Sequence, residues 1–185
     1  MPHRVCPWWL GYCLICPLVR YGQDPHDILA PYVHEGWTAF EPGPGMGFFT
    51  LELARLVGPA GRVVAVDIQP KMLERLKRRA AKAELLDRID VRTASPESMG
   101  IADLQGSVDF TLAFAVVHEL QDRRRFFVEV ASISKPGASL LLAEPKGHVK
   151  EQEFDAELQA ADEVGFKVVD RPFIRRSQTA VLKKT

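Results

Sequence analysis

An α/β fold with a doubly wound, mostly parallel sheet is predicted by three observations. Strand-like and helix-like segments alternate along most of the 185 residues, which favours a sheet covered on both faces. A strand-like segment near residue 65 is continuously apolar, as suits a parallel strand buried on both sides. A glycine-rich turn, Glu41-Pro-Gly-Pro-Gly-Met-Gly47, falls between a strand and the helix after it. Open α/β sheets bind their ligands at such turns.

The elements follow in order. Asp24 caps a short helix with Pro25 at its first position, running to about Val33. Trp37 to Phe40 is the first strand, and Phe48 to Val57 the helix after the turn, with Phe49, Leu53 and Leu56 on one face. Gly58-Pro-Ala-Gly61 ends it. Val63 to Ile68 is the second strand. Pro70 opens a helix to about Ala83 with Met72, Leu76 and Ala80 inward, and Ile89 to Thr93 is the third strand. Val108 to Phe114 is the fourth strand, and Asp122 to Ser134 the helix behind it. Pro136-Gly137 makes a turn into a fifth strand, Ser139 to Ala143. Glu151 to Val164 is a helix whose stripe is Phe154, Leu158, Ala161 and Val164. Phe166 to Val169 and Thr179 to Leu182 form a closing antiparallel pair.

Composition narrows the function classes. Hydrophobic residues make up 46% and charged residues 26%, the balance of a soluble globular protein. Lys plus Arg and Asp plus Glu each count 24, so no net field draws in nucleic acid or an anionic membrane. The basic run Lys71 to Lys82 reads as the solvated face of a helix. The apolar stretch Val5 to Val19 contains Pro7 and Pro17 and is shorter than the roughly 20 residues a spanning helix needs. It also lacks the pattern of a signal peptide. All three cysteines precede residue 17, an odd and clustered count that suits a reducing cytoplasm better than a disulfide framework.

The glycine turn and Asp67 together carry the chemistry. Glycine lets the backbone turn sharply and lets a ligand lie against bare main chain. Asp67, at the end of the second strand and 20 residues after Gly47, is placed to accept both hydroxyls of a ribose. Such a site suits NAD or S-adenosylmethionine, and three details separate them. A dinucleotide pattern needs glycine three residues after Gly45, where this chain has Phe48. Glu41, at the mouth of the turn, repels a pyrophosphate and suits an ammonium group. The chain length leaves no room for the substrate domain most dehydrogenases carry.

These motifs resemble those of the class I S-adenosylmethionine-dependent methyltransferases. The acid-x-Gly-x-Gly-x-Gly turn and the acid after the second strand look like the family's first motif and its successor. Val108 to Phe114, followed by Val117-His118-Glu119-Leu120, resembles the fourth-strand motif. Pro136-Gly137-Ala138 resembles the Pro-Gly-Gly turn before the fifth strand. The resemblance covers roughly Ile28 to Thr185. It implies a Rossmann-like seven-stranded sheet of order 3-2-1-4-5-7-6, with helices on both faces. It also implies that S-adenosyl-L-methionine lies on Gly43, Gly45 and Gly47, that Asp67 holds the ribose and that Ile68 covers the adenine. Glu41 and Ala113 join the cofactor set. Where the family often has Gly-Asp-Ala after the third strand, this chain has Thr93-Ala94-Ser95, and Ser95 is the residue able to offer an oxygen.

Methyl transfer from a sulfonium needs an aligned nucleophile and exclusion of water. A base matters when the nucleophile arrives with a held proton. The candidates follow strands four and five: His118, Glu119, Glu144, Lys146 and His148, with His118, Glu144 and His148 preferred as catalytic. His118 alternatively starts a helix and shapes the cofactor pocket, and Glu144 with Lys146 alternatively forms a rim ion pair. Residues 1 to 22 form an apolar, aromatic extension ahead of a single domain at 23 to 185. The resemblance implies that this extension is a lid over a flat or apolar small-molecule acceptor. Cys6, Cys13 and Cys16 are read as buried packing, as soft-ion or acceptor ligands, or as redox groups; no metal site is assigned. A methyltransferase-like binding protein without turnover and an NAD-dependent oxidoreductase are the competing functions.

Overall fold

The computed structural model describes residues 21–95 and 98–185. They form a seven-stranded mixed sheet of order β3-β2-β1-β4-β5-β7-β6, with helices between the strands, as expected. Packing groups the chain into two compact units, divided between Gly100 and Ile101. The proposed extension lies outside the described residues except for its last two, and so do Cys6, Cys13 and Cys16.

In the first unit, α1 spans Pro25–Leu29, and the Asp24 side chain accepts the His26 and Asp27 N–H groups. The helix stops short of Val33. Pro31 offers no N–H to continue it, and the chain closes in turns instead. β1 (Thr38–Pro42) pairs in parallel with β2 (Arg62–Asp67), Glu41 opposite Ala65 and Pro42 opposite Val66. Glu41 and Pro42 therefore belong to the strand and not to the turn. α2 (Thr50–Leu56) begins two residues later than the periodicity predicts. The turn holding Gly47 at φ +81° continues through Phe49, and a left-handed residue cannot enter a right-handed helix.

α3 (Pro70–Lys82) starts on Pro70 and buries Met72, Leu73, Leu76 and Ala80, the i, i+4 stripe of an amphipathic helix. Lys71, Lys77, Arg78 and Lys82 are exposed, as expected of a solvated face. Arg79 departs from that pattern: half-buried, it donates to the Met46 carbonyl within the glycine turn. β3 (Ile89–Thr93) pairs in parallel with β2.

In the second unit, β4 (Val108–Phe114) leads through a one-turn 3-10 segment, Val117–Glu119, to α4 (Arg123–Ile133), capped by Asp122. β5 is longer than predicted, Ser134–Pro145. Its register with β4 jumps from Val108 opposite Ser134 to Phe110 opposite Ser139. Pro136-Gly137 thus forms a bulge within the strand and does not precede it. Proline has no N–H for the ladder and Gly137 sits at φ +79°, so the two drop out of pairing without ending the strand. Lys135 ties the bulge to Asp109 at 2.6 Å.

α5 (Glu151–Glu163) buries Phe154, Glu157, Leu158 and Ala161. Val164 is its C-cap and stays half-exposed, while Glu157 takes an unpredicted place in the buried stripe. β6 (Phe166–Asp170) and β7 (Ser177–Lys184) are antiparallel, and β7 is antiparallel to β5. Among the described residues, no helix is long and apolar enough to cross a membrane.

Candidate functional site

The first unit carries a cradle at the carboxyl ends of β1 and β2. Gly43 N–H donates to the Val66 carbonyl at 2.8 Å, and Gly47 N–H to the Pro44 carbonyl at 2.9 Å. These bonds fold the turn back against β2. Gly45 and Gly47 both have left-handed backbone, at φ +56° and +81°, but their surroundings differ. A Cβ on Gly45 meets no atom within 4 Å, so its bare face borders open space. A Cβ on Gly47 comes to 3.1 Å from Leu76 Cγ, so that glycine serves the packing of the turn on α3.

Asp67 ends β2 and is 8% exposed. Its Oδ1 accepts Gln69 N–H at 2.9 Å, and its Oδ2 accepts Gly45 N–H at 3.3 Å, tying the acid to the turn. Burial pushes its pKa above the ordinary aspartate value, and backbone N–H groups of Gln69, Gly45 and Ile68 offset only part of that. Ile68, next in the chain, is 47% exposed, an apolar side chain left uncovered at the strand end. Glu41 is 4% exposed and accepts the Thr50 hydroxyl at 2.6 Å. Phe48 stacks edge-on against Phe49, with centroids 4.9 Å apart. Ser95 is exposed and bridges to Ser98, whose N–H donates to the Ser95 hydroxyl at 3.1 Å. That bond leaves the Ser95 hydroxyl serving its own loop.

The second unit gathers the candidate acid–base groups. β4 ends at Phe114, after the fully buried Ala113, and the chain turns at Ala115 with φ +54°. A non-glycine residue held there stores roughly 1–3 kcal/mol of strain, a cost that persists where the surroundings enforce the turn. Ala115 N–H donates to the Ala143 carbonyl at 2.7 Å, which sets the next residues beside the end of β5. There Glu144, with no exposed surface, accepts Val117 N–H at 2.8 Å on Oε1 and His118 Nδ1–H on Oε2. His148 lies in the exposed turn after β5, its ring 5.9 Å from that of His118.

Glu144 is thus the partner of His118 and not of Lys146. The strand ends at Pro145, and Lys146 turns away with its N–H on the Arg176 carbonyl. Lys146 lines a cleft of about 620 Å³ with Lys150, Arg171 and Phe173, whereas His118, Glu144 and His148 do not line it. Burial of the His118 ring disfavours its charged form. The bond to Glu144, with the charges of Glu144, Glu119 and Glu157, more than offsets this and raises its pKa above the ordinary histidine value. Glu157 itself was not legible as a site residue. Among the described residues, no group of three or more His, Cys, Asp or Glu is arranged to hold a metal ion.

Known proteins share this architecture. The family profile described as a methyltransferase domain matches residues 40–142. An arsenite methyltransferase of Halobacterium salinarum is 27% identical over 109 residues, 59% of this chain and 27% of that protein. The ubiquinone/menaquinone biosynthesis C-methyltransferase UbiE of Klebsiella pneumoniae is 27% identical over 143 residues, 77% of this chain and 49% of that one. The chain therefore spans about half the length of these curated relatives or less. A crystal structure of a SAM-dependent methyltransferase from Aquifex aeolicus superposes with a TM-score of 0.84 at 21% identity, covering 98% of this chain and 100% of that one. The open face at Gly45 and the Asp67 carboxylate tied to it at the end of β2 fit the ribose-bearing cofactor of such enzymes. The chain belongs to the methyltransferase-domain family and has the Rossmann-like fold of a solved SAM-dependent methyltransferase.

Proposed function

We propose that this enzyme methylates a small molecule whose acceptor atom carries a removable proton, and that His118 receives that proton. The observation behind this reading is the His118–Glu144 pair. Glu144 occupies Nδ1 and leaves Nε2 as the ring nitrogen free to face an acceptor. A buried carboxylate behind a histidine orients the ring and stabilises the cation formed on proton uptake. When bound, the cofactor supplies an electrophilic methyl group. In this reading Asp67 accepts the ribose hydroxyls, Gly43, Gly45 and Gly47 present bare backbone, and Ile68 lies against the adenine. Glu41 balances the ammonium group with Thr50 steadying it, while Ser95 completes that side of the wall. His148 steadies the acceptor beside His118.

Two named relatives, an arsenite methyltransferase and a quinone-biosynthesis C-methyltransferase, support a small acceptor. The balanced net charge and the clustered cysteines support a cytoplasmic enzyme with no nucleic-acid partner. Residues 1–22 are a separable extension in this reading, and their deletion leaves the methyltransferase fold intact. Transfer of a radiolabelled methyl group from S-adenosylmethionine is the test. The panel comprises dihydric phenols, thiols and arsenite, with bulk tRNA and a protein mixture as macromolecular arms. Label in a small acceptor, lost in His118→Asn, is the expected result. Label only in RNA or protein overturns the acceptor class. Cofactor binding with no transfer to any arm overturns turnover itself.

A further inference from the structure

We propose that the cleft between the β5–α5 turn and the β6–β7 connection anchors the methyl acceptor by an anionic group, so that the acceptor is an aromatic or similarly flat organic acid. Lys146, Lys150 and Arg171 hold its carboxylate or phosphate, and Phe173 lies against its body. This rests on the reading of His118 as the group that takes the acceptor's proton.

The cleft itself points to the ligand. Its volume of about 620 Å³ suits one small molecule. Lys146 and Lys150 border it from the turn, and Arg171 from the connection. All three are exposed, and none forms an ion pair among the described residues, although Glu151 and Asp155 of α5 border the same cleft. Their charges are therefore free to meet an oxyanion, which Arg171 is able to grip with two N–H groups. Phe173 borders the cleft with 88% of its surface exposed, whereas Phe154, also in the lining, is buried. A flat body laid on Phe173 removes apolar surface from water on both partners.

Two features set this cleft beside the His118–Glu144 pair, all within the second unit. Gln178, a cleft residue, is the direct partner of Glu144 in the antiparallel β5–β7 ladder. Side chains so paired share one face of the sheet with Cβ atoms roughly 5 Å apart. Gln178 Nε2 also donates to the Val149 carbonyl at 2.7 Å, fastening the turn to β7. The second link is the turn itself. His148 lies in it between Lys146 and Lys150, and two residues of chain span at most about 7 Å. Its ring is 5.9 Å from that of His118, and it does not line the cleft. One short turn thus carries cations on the cleft side and a histidine on the His118 side. An acceptor with its anion at one end and its reacting atom at the other bridges the two.

Titration of the full chain followed by amide and histidine-ring NMR tests this without turnover. The probes are 3,4-dihydroxybenzoate, its neutral amide 3,4-dihydroxybenzamide, and phenyl phosphate. The benzoate should shift amides in 146–151 and 171–179 saturably, and move the ring signals of His148 and His118, assigned from His148→Asn and His118→Asn. At low salt the amide should bind at least about fivefold more weakly, and added salt should narrow that gap. Saturable binding of phenyl phosphate to the same segments supports a site that takes either oxyanion. Lys146→Gln, Lys150→Gln and Arg171→Gln should each weaken the benzoate about three- to tenfold, as partly solvated charge pairs do. Phe173→Ala should weaken benzoate and amide alike. All four side chains are exposed, so these variants keep the fold. Equal affinity for benzoate and amide overturns the anion site. Benzoate shifts confined to the cleft, with both ring signals unmoved, overturn its link to the acceptor. In turnover, Arg171→Gln should raise KM for an anionic acceptor with kcat retained, whereas a merely structural role would lower the melting temperature and leave KM alone. Methylation of neutral acceptors in preference to their anionic counterparts, lost in His118→Asn, sinks the anchor and spares His118. Full turnover in His118→Asn sinks the reading of His118, while the titrations still report on the cleft.

Discussion

Single residues set the terms of cofactor binding, and Asp67 shows how. Burial raises its pKa, and the ribose hydroxyls that we assign to it bind the ionised form. A group with a raised pKa takes up its proton at higher pH than an ordinary aspartate as the solution is acidified. Affinity for S-adenosylhomocysteine should therefore fall on acidification, beginning above the usual aspartate range. Asp67→Asn should weaken binding about ten- to a hundredfold at neutral pH, the worth of a charge-assisted pair of hydrogen bonds. It should also flatten that part of the pH dependence. Calorimetric titration across pH measures both, and an acid-sensitive Asn variant would place the titrating group elsewhere. The two glycines at +56° and +81° differ in what a side chain would meet. Gly45→Val fills the open face and should abolish cofactor binding while circular dichroism still reports a folded protein, with some loss of melting temperature from a branched residue in left-handed backbone. Gly47→Ala adds to the same strain a methyl 3.1 Å from Leu76 and should lower the melting temperature. Normal cofactor binding in the folded Gly45→Val protein would place the cofactor elsewhere.

At the scale of elements, α5 is the informative one. Its buried face reads Phe154, Glu157, Leu158, Ala161, so the helix packs a carboxyl where an apolar side chain would cost nothing. The sign of its pH effect follows from linkage. In the unfolded chain Glu157 loses its proton at the ordinary glutamate value, and in the fold only near 7. Between these values the folded protein binds more protons, so its stability declines as pH rises, and above 7 the full cost is present. That cost is at most about 3 kcal/mol. Glu157→Gln carries no such charge and should gain on the wild type by up to that amount between about pH 5 and pH 8.5. Urea denaturation at both pH values measures the gain, and a constant difference would show that the carboxyl is not carried neutral. The β5 bulge shows a different relation between sequence and element. Pro136 and Gly137 are strong turn signals, and locally they do break the ladder. The strand resumes because flanking residues on both sides find partners in β4, a gain that a local reading does not contain.

For the whole molecule, the cofactor is the simplest probe. A ligand that binds only the folded state at a hundred times its Kd adds about 2.7 kcal/mol. For a chain of this size that raises the melting temperature by roughly 5–10 °C. S-adenosylhomocysteine should do this and NADH should not; a shift with NADH would reopen the dinucleotide reading that Phe48 and Glu41 oppose. The amino-acid sequence by itself determined the order of strands and helices, the glycine turn and the acid after β2. Each of these rests on short-range physics: hydrophobic periodicity, the φ > 0 that glycine permits, and the fixed spacing of one βαβ unit. Element ends were less legible. Pro31 stopped α1 early, and pairing with β2 carried β1 through Pro42. The partnership of Glu144 with His118, the Arg79 clamp on Met46 and the burial of Glu157 were decided only by the tertiary structure. His118, Glu144 and Glu157 belong to three different elements, and in the sequence each is one polar residue among many. Glu157, three residues after Phe154, looks like the polar margin of an amphipathic stripe. Only the packing of α5 puts it out of water, 3.6 Å from Arg123. Burial and long-range charge, which set its proton affinity, are not properties of any local stretch of chain.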